Sequence, residues 1–103
     1  MTTLYIAGPM TGLPDFNYPA FHEAERRLRA AGFEVLNPAT HKPDVAVASW
    51  SDYMRLGIAA VCAADGIALL PGSEDSRGAR AEVRVAEDID IPVHALEVWL
   101  GLT

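Results

Sequence analysis

The chain has 103 residues, half of them apolar and about a fifth charged, which suits one soluble globular domain, residues 1–103, near the length at which a single core becomes sufficient. The net charge of −6 opposes a nucleic-acid polymer as partner, because polyanion binding wants a basic face, but it leaves room for a small phosphorylated ligand held by backbone N–H groups. A lone cysteine, Cys62, excludes an internal disulfide and any CxxC metal site.

Thr3-Leu4-Tyr5-Ile6-Ala7 is a short β-prone run, read as the first strand and ended by Gly8-Pro9. Gly8-Pro9-Met10-Thr11-Gly12 is then a loop at that strand's carboxyl end. Its glycine spacing fits neither a Walker loop nor a dinucleotide fingerprint. A polar-aromatic connection follows, in which Phe16, Asn17 and Phe21 are candidate pocket residues or core. Pro19 suits a first helical turn. Phe21, Ala24, Leu28 and Ala31 then recur at helical spacing, with Gly32 placed to end the helix.

Phe33–Leu36 is the second strand, stopped by Asn37-Pro38. Residues 37–50 hold no clear periodicity, as in a lid, a subunit contact or a short helix. Ser49 or Ser51 caps the next helix, with Asp52 in its first turn and Met54, Ile58, Val61 and Cys62 as its apolar stripe. Ile67–Leu70 is an apolar third strand, as a buried parallel strand should be. A helix starting at Ser76 carries Ala79, Val83 and Ala86 toward the sheet. Ile89–Val93 is a last strand, placed at an edge by Pro92. Ala95–Leu102 is a terminal helix so apolar that part of it is expected to meet a second subunit.

This alternation of strands and helices predicts a parallel sheet covered on both faces, with ligands at the carboxyl ends of the strands beside the switch point. The Gly8–Gly12 loop and the Ser76 helix start fall on that rim. Within Ser76-Arg77-Gly78-Ala79-Arg80-Ala81-Glu82, Gly78 and Ala79 lie one turn below Glu82 on its own face. The carboxylate therefore overlooks a cleared strip running about 9 Å to a helix N-terminus that favours anions. The same small residues also serve plain close packing of helix on sheet. His22, His41 and His94 lack metal-ligand spacing and are read as surface or packing residues, so no metal and no cofactor are expected. There is no secretory signal pattern, and no apolar run approaches the roughly 20 residues of a membrane span. A cytoplasmic protein without a membrane partner is the expectation.

Tyr5-Ile6-Ala7-Gly8-Pro9-Met10-Thr11-Gly12, then Asn37-Pro38, Asp65 and Ser76-x-Gly78-x-x-x-Glu82 together resemble the nucleoside 2-deoxyribosyltransferase-like superfamily, and within it the short DUF4406 family of phages and bacteria. The resemblance runs along nearly the whole chain. It implies a flavodoxin-like three-layer sandwich with a four- to five-stranded parallel sheet, and a homodimer or a higher homo-oligomer. It also implies cleavage of N-glycosidic bonds in nucleosides or (deoxy)nucleoside 5′-monophosphates, by hydrolysis or by transfer of the sugar to another base.

In that chemistry the glutamate matching Glu82 attacks C1′ through an oxocarbenium-like transition state, as carboxylates do in retaining glycosidases. The resemblance makes Tyr5 a neighbour of sugar and nucleophile, and Asp65 a further catalytic candidate. It makes Gly8, Pro9, Met10, Thr11, Gly12, Ser76 and Gly78 the substrate- and phosphate-binding set. A serine at position 76, where transferases of free nucleosides carry a carboxylate, favours a phosphorylated ligand, with Arg77 and Arg80 close by.

One departure bears on activity. Many relatives carry an aspartate eight residues before the position of Asp65, implicated in proton transfer to the leaving base, and here that residue is Gly57. Asp52 lies too far round the helix to replace it, while Glu74 or Asp75, on the turn before Ser76, are candidate substitutes. General acid–base help is worth roughly 10²–10⁴-fold. A catalytically weak or inactive nucleotide- or sugar-phosphate-binding oligomer is therefore the alternative, and an oligomeric scaffold the plainest one.

Overall fold

A strand covered on both faces must bury successive side chains in opposite directions, and the first strand does so. In the computed structural model, which describes residues 1–102, β1 (Thr3–Ala7) sends Leu4 and Ile6 into one core and Tyr5 and Ala7 into the other. β1 lies between β2 (Glu34–Leu36) and β3 (Gly66–Leu69), and β4 (Val93–Ala95) completes a four-stranded sheet of order β2-β1-β3-β4. All pairings are parallel, with Tyr5 opposite Leu36 on one side and Ile67 on the other.

Helix α1 (Tyr18–Ala30) covers the Leu4–Ile6 face through Phe21, Ala24 and Leu28. The opposite face is covered by α2 (Trp50–Ala63) through Val61 and by α3 (Arg77–Asp88) through Ala79 and Ala86. The result is the flavodoxin-like three-layer sandwich, at the four-strand end of the expected range. The order reverses between β1 and β3, so their carboxyl ends border the switch point. Among the described residues no helix is long and apolar enough to cross a membrane.

Local chemistry sets the helix ends. At the end of α1, the Gly32 N–H donates to the Arg29 carbonyl and the Phe33 N–H to that of Leu28, with Gly32 at φ 96°: the paired bonds of a Schellman motif. Ser49, not Ser51, caps α2. Its Oγ accepts from the Asp52 N–H at 3.2 Å while Asp52 accepts from the Ser49 N–H at 2.8 Å, a reciprocal capping box. Asp52 is thereby a structural carboxylate.

Several expectations shift. The last strand is Val93–Ala95 rather than Ile89–Val93, because Ile89 caps α3 and Asp90 turns the chain at φ 62°. Pro92 precedes the strand and contributes only its carbonyl, which accepts from the Ile67 N–H. The terminal helix shrinks to α4 (Leu96–Trp99), ended by a turn at Gly101. Its apolar residues mostly find partners within the chain: Leu96 is in the core, and Trp99 and Leu100 pack against it. The Trp99 Nε1–H also donates to the Ile67 carbonyl at 2.7 Å. The need for a second subunit at this helix is correspondingly smaller. In α2 the buried positions are Gly57 and Val61, whereas Cys62 is exposed. Residues 37–50 contain one short 3-10 turn, Pro38–Thr40, capped by Asn37.

Candidate active site

On α3 the side chain of Glu82 occupies the buried stripe between Ala79 and Ala86. The helix phase, fixed by the Ser76 cap (Oγ accepting from the Ala79 N–H at 3.2 Å), thus carries a carboxylate inward. Tyr5 reaches the same place from β1. Its hydroxyl donates to Glu82 Oε2 at 2.6 Å, the length of a charge-assisted O–H···O⁻ bond.

Burial pushes the Glu82 carboxyl up to about 7, although the Tyr5 hydrogen bond pulls the other way. Burial, reinforced by the neighbouring Glu82, drives the Tyr5 hydroxyl far above the usual phenol range, so it stays a donor. No described group donates to Glu82 Oε1, yet Glu82 has no sealed, unsatisfied oxygen. That oxygen therefore faces open space.

The space is a cleft of about 580 Å³ at the carboxyl ends of β1 and β3, with Tyr5 and Glu82 in its lining. Gly8, Pro9, Met10 and Thr11 line it from the β1 loop, and Ser76 and Gly78 from the start of α3. The loop is held in place on both sides. A Cβ on Gly8 would lie 2.8 Å from Leu70 Cβ, and Asn17 Nδ2–H donates to the Pro9 carbonyl at 3.0 Å. Gly78 serves close packing as well, since a Cβ there would come 3.2 Å from Met54 Sδ on α2.

Gly57 answers the question of the missing aspartate. A Cβ at this position would overlap Glu82 Oε2 and stand 3.1 Å from the Tyr5 hydroxyl. The backbone of α2 lies directly against the carboxylate, and no side chain fits between them. A glycine that weakens the helix interior thus lets α2 lie directly against the carboxylate where it meets Tyr5. Of the candidate substitutes, Asp75 lines the cleft, whereas Glu74 lines a separate groove and its carbonyl accepts from Arg80.

Two expected residues lie elsewhere. Asp65 stands at the opposite end of the sheet, where its Oδ2 accepts from the Thr3 N–H at 2.8 Å. It ties the start of β1 to the start of β3 and does not reach the cleft. Gly12 is exposed at φ 85° with nothing near its absent side chain, so it turns the loop without lining the site. Phe21 is fully buried core, while Phe16 does line the cleft.

Sequence reasoning missed the aromatic wall. Tyr18, His41, Trp50 and Tyr53 line the cleft. The ring of His41 stacks near that of Tyr5, with centroids 6.4 Å apart, and burial lowers its basicity. These residues come from α1, from the irregular stretch 37–50 and from α2, so no local spacing joins them. The usable signal was Trp50 and Tyr53, which lie off the apolar stripe of α2.

Together the fold and cleft define an α/β sandwich with a buried Tyr–Glu pair at the floor of an aromatic-walled site beside the topological switch point. The family model described as Domain of unknown function (DUF4406) matches residues 2–95, and the chain belongs to that family. No functionally curated protein matches it.

Proposed function

We propose that the cleft takes a nucleoside or (deoxy)nucleoside 5′-monophosphate and that Glu82 cleaves its N-glycosidic bond. The observation that carries this reading is the Glu82 carboxylate on the cleft floor, steadied through Oε2 by Tyr5 and free at Oε1. A protein that only held a ligand would have little use for a half-neutral carboxylate buried there. The resemblance to the nucleoside 2-deoxyribosyltransferase-like superfamily supports the same chemistry.

In the reaction, Oε1 bonds to C1′ as the C1′–N bond breaks, and the bonding pair departs with the base, which takes a proton from water. Water or a second base then attacks C1′ and frees the carboxylate. Aromatic rings suit the base, since stacking contributes roughly 1–3 kcal/mol per base. The Ser76 hydroxyl and the N–H groups at the start of α3 suit the phosphate. Metal and cofactor have no step in this scheme. A homo-oligomer in the cytoplasm completes the reading.

The test is incubation with a panel of ribo- and deoxyribonucleoside monophosphates, followed by chromatography for free base. Release that disappears in Glu82→Ala supports the enzyme. A second reading, a binder without turnover, is favoured by one observation: Gly57 brings no acid to the leaving base. Thermal stabilisation by nucleotides with no release of base selects it.

A further inference from the structure

We infer that Arg77 is the residue by which this cleft distinguishes a phosphorylated nucleoside from an unphosphorylated one. This rests on the nucleotide reading above and adds the cation that reading lacks. Among the described residues that line the cleft, Arg77 is the one permanent cation, set against the carboxylates of Glu82 and Asp75. On a chain of net charge −6, Arg77 is the lining side chain that supplies a phosphate dianion with an opposite charge, beside the amides of the α3 start.

The guanidinium is also available. Among the described residues the ion pairs engage Arg26, Arg29 and Arg55 and leave Arg77 out. Instead, its guanidinium carbon lies 3.9 Å from the centroid of the Trp50 ring. A guanidinium lying on an aromatic face keeps its in-plane N–H fork for a planar or tetrahedral anion. The indole thus orients the cation without neutralising it.

Position strengthens the case. Arg77 is the first residue of α3, where a positive charge has the wrong sign for the helix dipole. Among the described residues no carboxylate forms an ion pair with Arg77 to offset that placement, and local rules of this kind are broken chiefly at functional positions. The same location sets the charge beside the Ser76 hydroxyl and the free amides of the helix start. Arg80, the other candidate cation, is committed elsewhere: its Nη1–H donates to the Glu74 carbonyl at 3.2 Å, and it lines the separate groove with Glu87 and Asp88.

Calorimetric titration provides the test, using the four deoxynucleoside monophosphates and their parent nucleosides on Glu82→Gln protein, in which attack on C1′ is blocked. Adding Arg77→Gln should weaken monophosphate binding about tenfold or more and leave nucleoside binding within about twofold. It should also flatten the dependence of monophosphate affinity on salt. Arg77→Lys should recover part of the loss, because it restores charge without the fork. Arg77 is exposed, so melting curves should show all variants folded.

Monophosphate binding that Arg77→Gln leaves intact, or an equal loss for nucleoside and monophosphate, overturns the inference while the nucleotide reading stands. Failure of every nucleotide to bind the Glu82→Gln and unaltered proteins overturns both.

Discussion

Gly57 on α2 and Glu82 on α3 are in such close apposition that a single methyl group at residue 57 would overlap Glu82 Oε2. The two helices therefore do more than cover the sheet. Between them they shape a slot one carboxylate wide, closed from below by the Tyr5 hydroxyl. The absence of an aspartate at 57 and the burial of Glu82 are two aspects of one packing arrangement.

Gly57→Ala tests this directly. Alanine gains up to about 1 kcal/mol of helix propensity over glycine, whereas crowding a packed site costs typically about 1–3 kcal/mol. Net stability should fall by no more than about 2 kcal/mol. The chemistry should suffer more, because Glu82 must swing away from Tyr5. Base release should drop at least about tenfold, as expected when a reacting group is displaced by about 1 Å. Parallel melting and release assays separate the two effects, and unchanged release would remove Gly57 from the site.

The raised Glu82 carboxyl gives a signed pH dependence. Its folded value of about 7 exceeds the ordinary 4.5, so between those limits the folded protein holds a proton that the unfolded chain has released. This contribution to stability is fully present below about pH 4.5, falls as the pH rises, and is lost above about pH 7. The gap corresponds to roughly 3 kcal/mol as an upper figure. Glu82→Gln should flatten the slope, so that the variant gains on the parent between pH 5 and pH 8 in denaturant titrations. In the proposed reaction, release of base should conversely rise with pH through about 7, because the carboxylate must be ionised to attack C1′.

Tyr5→Phe removes the one hydroxyl that donates to this carboxylate. Leaving a buried ionised group without its partner costs about 1–3 kcal/mol, and the cost should be larger at pH 8 than at pH 5, where Glu82 is protonated. The rising limb of the pH–rate profile should move to higher pH, since the hydrogen bond is what restrains the upward shift. A stability loss of equal size at both pH values would mean that Tyr5 acts only by packing.

Much of this was legible along the chain because it is local. The alternation within Thr3–Ala7, the stripe of α1 and the Ser76 cap each follow from neighbours within a few residues, and they were enough to bring the β1 loop, Ser76 and Glu82 to one rim. What sequence reasoning missed depends on contacts across the fold. His41 meets Tyr5 only after β1 and the 37–50 stretch are packed together. Gly57 reads as a weak helix residue until Glu82, on another helix, is seen against it. The terminal helix looked too apolar to stand alone because Trp99 and Leu100 carry no sign of the core they join. Asp65 misled for the opposite reason: it sits beside a strand, but at the end away from the ligand rim.

That last distinction yields a negative control. The Asp65 carboxylate accepts from the Thr3 N–H across the base of the sheet, and it lies where solvent can replace it. Asp65→Ala should therefore cost about 0.5–1.5 kcal/mol of stability, the net worth of one exposed hydrogen bond. The pH–rate profile and the base preference should be unchanged, because at roughly 3.3 Å per residue the length of β3 separates Asp65 from the cleft. Asp65→Asn keeps an acceptor and should recover most of the lost stability. Denaturant titration measures the first effect and chromatographic release the second. A large loss of release in a folded Asp65→Asn protein would restore this residue to the catalytic set and displace the geometry argued for Glu82 and Tyr5.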